Sequence, residues 1–131
     1  MSTTDALVQL SFQIQRILAE AGIERDLSIA QLRLLGIVRD RPAGMLHLGG
    51  HLGLDRSAMA GLVSGAEERG LVRSLPSPRD SRVVLVESTP RGRRVAQECA
   101  REIERQVAEL IAGLSATDQE LLTALAAEPL P

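Results

Sequence analysis

Seven arginines fall between residues 69 and 94, against only Asp80 and Glu87, and three charges of that band crowd one short stretch, PSPRDSR (76–82). Guanidinium groups at this density suit phosphate contacts, and an arginine on a projecting loop can enter a narrow, electronegative minor groove. Arg79 and Arg82 are the candidates for such contacts, and Pro76 and Pro78 stiffen the loop that carries them. Asp80 would repel phosphate unless paired, so it is expected to bind an arginine and brace the loop. The bland alternative is an exposed turn with an incidental ion pair, worth about 0–1 kcal/mol. Just upstream, LDRSAMAGLVSGAEERG (54–70) reads as a helix with Gly61 and Gly65 in its interior. Each glycine there costs about 1 kcal/mol relative to alanine. Two settings favour glycine nonetheless: close approach of the backbone to another molecule, or packing against a neighbouring helix of the same chain.

Other residues with chemical potential are sparser. His47 and His51 stand at i, i+4 in HLGGH, a spacing that can chelate a metal from a helix. No cysteine or acid nearby completes a ligand set, so no metal is expected and the pair reads as exposed histidines near phosphate. Cys99 falls on an apolar stripe and reads as a small core or interface residue rather than a redox sensor, which needs exposure and a lowered pKa. Serine, histidine and aspartate are scattered without a nucleophile turn, and there is no P-loop-type glycine loop. Neither an enzyme nor a cofactor is expected.

The whole chain bounds these readings. Its 131 residues suit a single domain, 1–131, and 44% hydrophobic with 24% charged residues is ordinary globular composition. Phe12 is the one aromatic, so Leu, Val, Ile, Met and Ala must build the core. No apolar run approaches the about 18 residues of a membrane span. The start MSTTDALVQL lacks a signal-peptide pattern, and one cysteine cannot staple its own chain, so a cytoplasmic location with no membrane partner is expected. The net charge of −2 hides an uneven distribution: the basic band at 69–94 is followed by 95–131, with two arginines against seven acids. Every cation is arginine.

Periodicity supplies the elements that must position the arginines and glycines. Leu7, Leu10, Ile14, Ile17, Leu18 and Ala21 recur at helical spacing, predicting a helix over about 5–21 with Thr4 as N-cap and Gly22 as its stop. Ser28 starts a second helix, which ends before a loop at DRPAG (40–44). A short third helix follows in MLHLGGHLG, with Leu48 and Leu52 inward. Asp55 caps the helix 55–69, whose buried stripe is Met59, Leu62, Val63 and Ala66 and whose stop is Gly70. Its opposite face is Ser57, Gly61, Ser64 and Glu68, with Arg56 and Ala60 to one side. Segments 71–75 and 82–88 pair as a hairpin around the basic loop. Thr89-Pro90 opens a long helix to about 112, and Ser115 with Asp118 opens a last one carrying Leu121, Leu122 and Leu125. The fold class is mainly α with a small β-hairpin wing (α+β): a winged helix-turn-helix flanked by terminal helices.

The run LGLDRSAMAGLVSGAEERGLVRSLPSPRDSRVVLVESTPRG resembles the DNA-binding core of the MarR (multiple antibiotic resistance regulator) family. The shared pieces are the LGLDRS turn, the E-x-RGLV helix end, the D-x-R wing at Asp80 and Arg82, and the T-P-x-G opening of the next helix. The resemblance is strong over about 28–95 and extends in helix number and order over nearly the whole chain. It implies a homodimeric transcriptional regulator, a repressor that reads a pseudo-palindromic operator in double-stranded DNA and is relieved by a small-molecule effector. It implies a winged core at 28–88, dimerisation helices at 4–22 and 89–128, and DNA contacts from Arg56, Ser57, Ala60, Gly61, Ser64, Arg79, Asp80 and Arg82. Arg82 would be the minor-groove residue and Asp80 its support. Many relatives carry longer side chains around 60 and 61. Here only methyl and backbone stand there, so affinity is expected to lean on arginine–phosphate contacts and DNA shape, with a steep salt dependence. A methyl from Ala58 or Ala60 can still meet thymine. With one Phe and no Tyr or Trp, an effector pocket between dimer helices and winged core would be aliphatic with an arginine rim. The alternative is a winged-helix protein-interaction module that has lost specific DNA binding, which the acidic C-terminal segment and the bare helix face favour and the retained wing charges oppose.

Overall fold

The computed structural model describes residues 1–127, so Glu128, the last residue of the expected terminal dimerisation segment, lies outside the described residues. The elements run α1 (Thr3–Ile23), α2 (Ile29–Val38), β1 (Ala43–Gly44), α3 (Met45–Leu52), α4 (Arg56–Glu68), β2 (Val72–Pro76), β3 (Val84–Ser88), α5 (Pro90–Leu110) and α6 (Ala116–Ala127). The expected order of helices and hairpin stands. The helix starts follow from side chains that satisfy the unpaired amides of a first turn. Ser28 and Gln31 form a reciprocal capping box on α2, Asp55 accepts from the Ala58 amide, and Thr89 accepts from the Gly92 amide with Pro90 behind it.

Three details differ from the sequence expectation. Ser2, not Thr4, caps α1, because Asp5 at the third helical position closes a capping box with it. Gly22 does not stop α1: it is buried within the helix, and a Cβ there would lie 2.6 Å from the Leu27 carbonyl oxygen. The helix instead turns at Asp26, φ 55°, where the Leu27 amide returns to the Gly22 carbonyl and the Asp26 amide to that of Ile23. That pairing is a Schellman turn with aspartate in the left-handed position glycine usually fills. Finally, DRPAG is not wholly loop. Ala43 and Gly44 pair antiparallel with Val86 and Leu85, making a three-stranded sheet of order β1-β3-β2.

The core sits where α2, α3, α4 and the sheet converge. Leu34, Leu35, Val38, Leu48, Met59, Val63, Leu71 and Val86 are its most deeply buried large side chains. The predicted stripe of α4 faces this core, with Leu62 at its margin. Among polar side chains Ser88 is buried and donates its hydroxyl to the Val38 carbonyl at 3.0 Å, so the inward-facing end of β3 is satisfied. Cys99 is buried as expected, its sulfur facing the Ala21 carbonyl at 3.7 Å; burial pushes the thiol up from its ordinary pKa. α1 packs on α5, but only its C-terminal half is covered. Leu7 and Phe12 are 60% and 64% exposed, and on α6 Leu121 and Leu125 are 57% and 61% exposed. Among the described residues no helix is long and apolar enough to cross a membrane.

Beside the packing of α2 on α1 and α5, a backbone contact ties the terminal helices to the winged core. Gly92, in the first turn of α5, is buried against the backbone of Leu71, and a Cβ at 92 would stand 1.9 Å from the Leu71 carbonyl oxygen. The obstacle is backbone already held by the Thr89 amide at 3.1 Å, so it cannot swing aside as a side chain can. Gly92→Ala is therefore expected to lower the unfolding free energy by about 3 kcal/mol or more. Urea unfolding of the two proteins measures it; a loss under about 0.5 kcal/mol, the size of an ordinary surface substitution, would contradict the packing.

Candidate nucleic-acid interface

α4 rests on α2, α3 and β2 through Met59, Val63 and Ala66, which turns its other side outward. Arg56, Ser57, Ala60, Gly61 and Ser64 are all exposed, as is Ala58. Gly61 has no heavy atom within 4 Å of the position a Cβ would take. Packing against the chain's own neighbouring helix therefore does not explain it, and the outward, low-profile reading remains. Gly65 is different: it turns half-buried toward α2, with the Gln31 amide nitrogen 4.0 Å from a Cβ position. An isolated helix exposing serine hydroxyls, methyls and bare backbone offers a surface that another molecule's groove can approach closely.

The hairpin stands beside this face. β2 and β3 pair in register from Val72↔Ser88 to Pro76↔Val84, and the tip is closed by the Ser77 amide on the Val83 carbonyl and the Val83 amide on the Asp80 carbonyl. Asp80 does pair with an arginine, and the partner is Arg82. One carboxylate oxygen accepts from the Arg82 amide at 3.0 Å and from its Nε at 3.1 Å, while the other accepts from Nη2 at 3.1 Å. The Arg82 guanidinium, and then its backbone amide, hold the Asp80 carboxyl below the usual carboxylate range. The pair is a two-pronged fork between residues two apart, so it stiffens the tip more than a floppy surface ion pair does. The Arg82 side chain is still 89% exposed, leaving its outer edge turned to solvent. Arg79 is exposed at the same tip, its amide donating to the Ser77 hydroxyl.

Arg56 and Arg82 are brought to the rim of one hollow of about 650 Å³ between α3, the start of α4 and the base of the wing. Ser64 lies further along α4, and Arg79 beyond the hollow's lining. The hollow's edge also carries Leu46, Val83 and Val84, exposed at 76%, 42% and 41%. These escape the sequence analysis: the run RVVLV, with too little alternation for a one-sided strand, points to Val83 and Val84, but nothing in it points to Leu46. His47 and His51 lie along exposed α3 with ring centroids 5.9 Å apart, His47 on the hollow's edge.

The basic band is less uniform than its count suggests. Arg69 is bound to the Asp26 and Arg25 carbonyls, Arg73 to Glu87 across the hairpin, and Arg93 to the Ser88 carbonyl. Only part of the band, including Arg79 and the outer edge of Arg82, is presented outward at the tip. On the far side of the winged core, a cavity of about 90 Å³ lies between α2 and α5, lined by Leu27, Leu32, Leu35, Ala96, Cys99 and Ile103 with Arg39 as its one charged group.

The open space at Gly61 makes its role separable from stability. Gly61→Ala is expected to stabilise the chain by about 0.5–1 kcal/mol, since helix propensity improves and nothing clashes. If the face seats closely against a duplex, the same change lowers affinity for that duplex. Thermal unfolding and duplex titration of the variant check both signs; a more stable variant that binds as well as the parent would mean that position 61 is not at the contact.

No protein-family model and no curated protein sequence matches the chain. Its fold, however, matches solved structures over essentially its whole length. MarR from E. coli, in its apo form, superposes with a TM-score of 0.82 at 25% identity, covering 100% of this chain and 98% of that one. A mutant of the same protein, complexed with operator DNA, gives a TM-score of 0.80 at 25% identity over 98% of this chain and 93% of that one. The transcriptional regulator BldR from Sulfolobus solfataricus gives a TM-score of 0.74 at 28% identity, covering 96% of both. With the wing, the recognition-type helix and both sets of terminal helices matched in order, the chain belongs to the MarR family of winged-helix transcriptional regulators.

Proposed function

We propose that the chain is a homodimeric repressor that binds a pseudo-palindromic operator, each protomer placing α4 in a major groove and its wing in the adjacent minor groove. The observation that carries this reading is the pairing of a bare, outward face on α4 with a wing whose Arg82 is braced by Asp80 yet exposed. Arg56, Ser57, Ala60, Gly61 and Ser64 meet base edges and the flanking backbone, and Arg79 and Arg82 supply the charge that the helix lacks. Such a division favours phosphate contacts and groove shape over side-chain base readout. The operator-bound E. coli relative supports it, since that protein shares the architecture.

The winged core spans 28–88, and 4–22 with 89–128 form the dimer frame. The support is physical: Leu7, Phe12, Leu121 and Leu125 expose apolar surface at both ends of the chain, where a second copy would cover it. A two-fold dimer presents its recognition helices about one helical turn of DNA apart, roughly 34–36 Å. Release is assigned to a small, mainly apolar molecule entering between α2 and α5, at the cavity rimmed by Arg39. One observation favours a different partner. Leu46, Val83 and Val84 make an apolar rim beside α4 that a protein ligand could use.

The deciding experiment selects duplexes from a random-sequence pool with a sample that sediments at twice the 14.1 kDa chain mass. Wild type and Arg82→Ala are then titrated across salt. Wild type is expected to enrich a two-fold symmetric site and to lose affinity steeply with salt, by about 0.9 log units per log unit of salt for each neutralised phosphate. Arg82→Ala is expected to lose about 1–3 kcal/mol on the selected site. A dimeric wild type that enriches no site would sink the proposal and leave the protein-interaction reading.

A further inference from the structure

At the end of α4 the chain makes a long-range polar contact back to the turn after α1. Arg69, directly after the helix, donates from Nη1 to the Asp26 carbonyl and from Nη2 to the Arg25 carbonyl at 2.8 Å. The two prongs of one guanidinium thus hold two successive carbonyls of the turn that joins α1 to α2. Its partners there are carbonyls rather than carboxylates, so geometry rather than net charge pairing selects arginine. The turn it holds is the unusual one, with Asp26 at φ 55° where glycine would be unstrained.

The same turn is fastened on its other side. The Arg25 side chain donates from Nε to Glu98 of α5 at 3.0 Å, and from Nη1 to the Ala21 carbonyl of α1 at 3.5 Å. A continuous polar chain therefore runs from the C-terminal end of α4, through Arg69 and the 25–26 backbone, to α1 and α5. α4 itself packs on α2, α3 and β2, so its hydrophobic stripe sets its roll against the winged core. α2 in turn packs on α1 and α5, and beside that packing the clamp and the Leu71–Gly92 contact tie the end of α4 to the terminal helices.

We propose that Arg69 is a positioning residue for operator recognition: it sets the recognition helix relative to the helices that join the protomers, and thereby the half-site spacing that the dimer accepts. The inference rests on the operator-binding reading above. Two helices that must enter successive major grooves together need their relative position held within a fraction of an ångström by rigid support. A clamp with two fixed prongs supplies this, whereas a lysine can satisfy one carbonyl at a time and leaves the helix end to pivot.

The test uses the full chain and the duplex that wild type enriches from a random pool, with copies lengthened or shortened by one or two base pairs between half-sites. A duplex carrying a single half-site is measured alongside. Wild type is expected to bind the altered spacings about tenfold or more weakly than the native one. Arg69→Met is expected to lose about tenfold on the native spacing, to flatten the spacing preference to under about threefold, and to bind the single half-site like wild type. Sedimentation and thermal unfolding verify that the variant is folded and dimeric. Should Arg69→Met not fold, Arg69→Lys serves, with a partial flattening expected. A wild-type spacing profile in a folded Arg69 variant overturns the inference, as does equal loss on the single half-site. Failure of wild type to enrich any duplex would instead overturn the operator-binding reading.

Discussion

The contact between Gly92 and the Leu71 backbone is the constraint on which the geometry of this protein depends. Four elements meet there. The Leu71 amide returns to Ala66 and ends α4, and its carbonyl receives the Thr89 amide at 3.1 Å. The Thr89 hydroxyl donates to the Gly70 carbonyl at 2.6 Å and accepts from the Gly92 amide at 3.0 Å. Within a few residues the recognition helix stops, the wing begins and returns, and the long helix starts. No side chain fits between α5 and Leu71, so this joint is made of backbone on both sides. Backbone joints do not slide as side-chain contacts do, and the wing and α4 are thereby presented as one unit.

That unit separates grip from fit. The wing carries exposed charge on a stiff fork, whereas the middle of α4's outward face carries none, its exposed charges being Arg56 at the start and Glu67 and Glu68 at the end. Much of the basic band is spent on the protein's own framework. Arg73 and Arg93 knit the hairpin and the start of α5, and Arg69 reaches back to the turn after α1. Of the rest, Arg79 and Arg82 stand exposed at the tip, and Arg91 and Arg94 are exposed at the start of α5. On the proposed reading the wing supplies the electrostatic contribution at the edge of the recognition surface and the centre is free to seat closely, the arrangement in which DNA shape decides between sites. Leu27 belongs both to the Arg69-bound turn region and to the lining of the α2–α5 cavity, so the cavity adjoins the support of the recognition helix.

Most of this fold was legible in the residues. Caps at Ser28, Asp55 and Thr89, the 3–4 spacing of Met59, Leu62, Val63 and Ala66, and the glycine at 70 each act through local geometry, and local geometry is what sequence spacing encodes. What escaped was decided by tertiary contact. Two residues of β1 have no period to detect and are strand only because β3 lies alongside. Gly22 looked like a helix stop, yet its missing side chain makes room for the Leu27 carbonyl, and aspartate rather than glycine takes the left-handed turn. At the interface, the low-profile face and the Asp80–Arg82 fork were readable because their residues are close in sequence. The apolar rim of Leu46, Val83 and Val84 and the long reach of Arg69 join segments far apart in sequence, and no spacing rule links them. The meaning of Gly61 was undecided until the space around it was known to be empty.

The central claim is that the bare face of α4 and the braced wing touch one duplex together. Backbone amide chemical shifts of the full-length dimer, followed as the enriched duplex is added, test this most directly. The account predicts the largest movements at Gly61 and Ser64 on the helix and at Arg79 and Arg82 on the wing, saturating at one duplex per dimer. Movements confined to the terminal helices, with Gly61 and Arg82 unshifted at saturation, would contradict it.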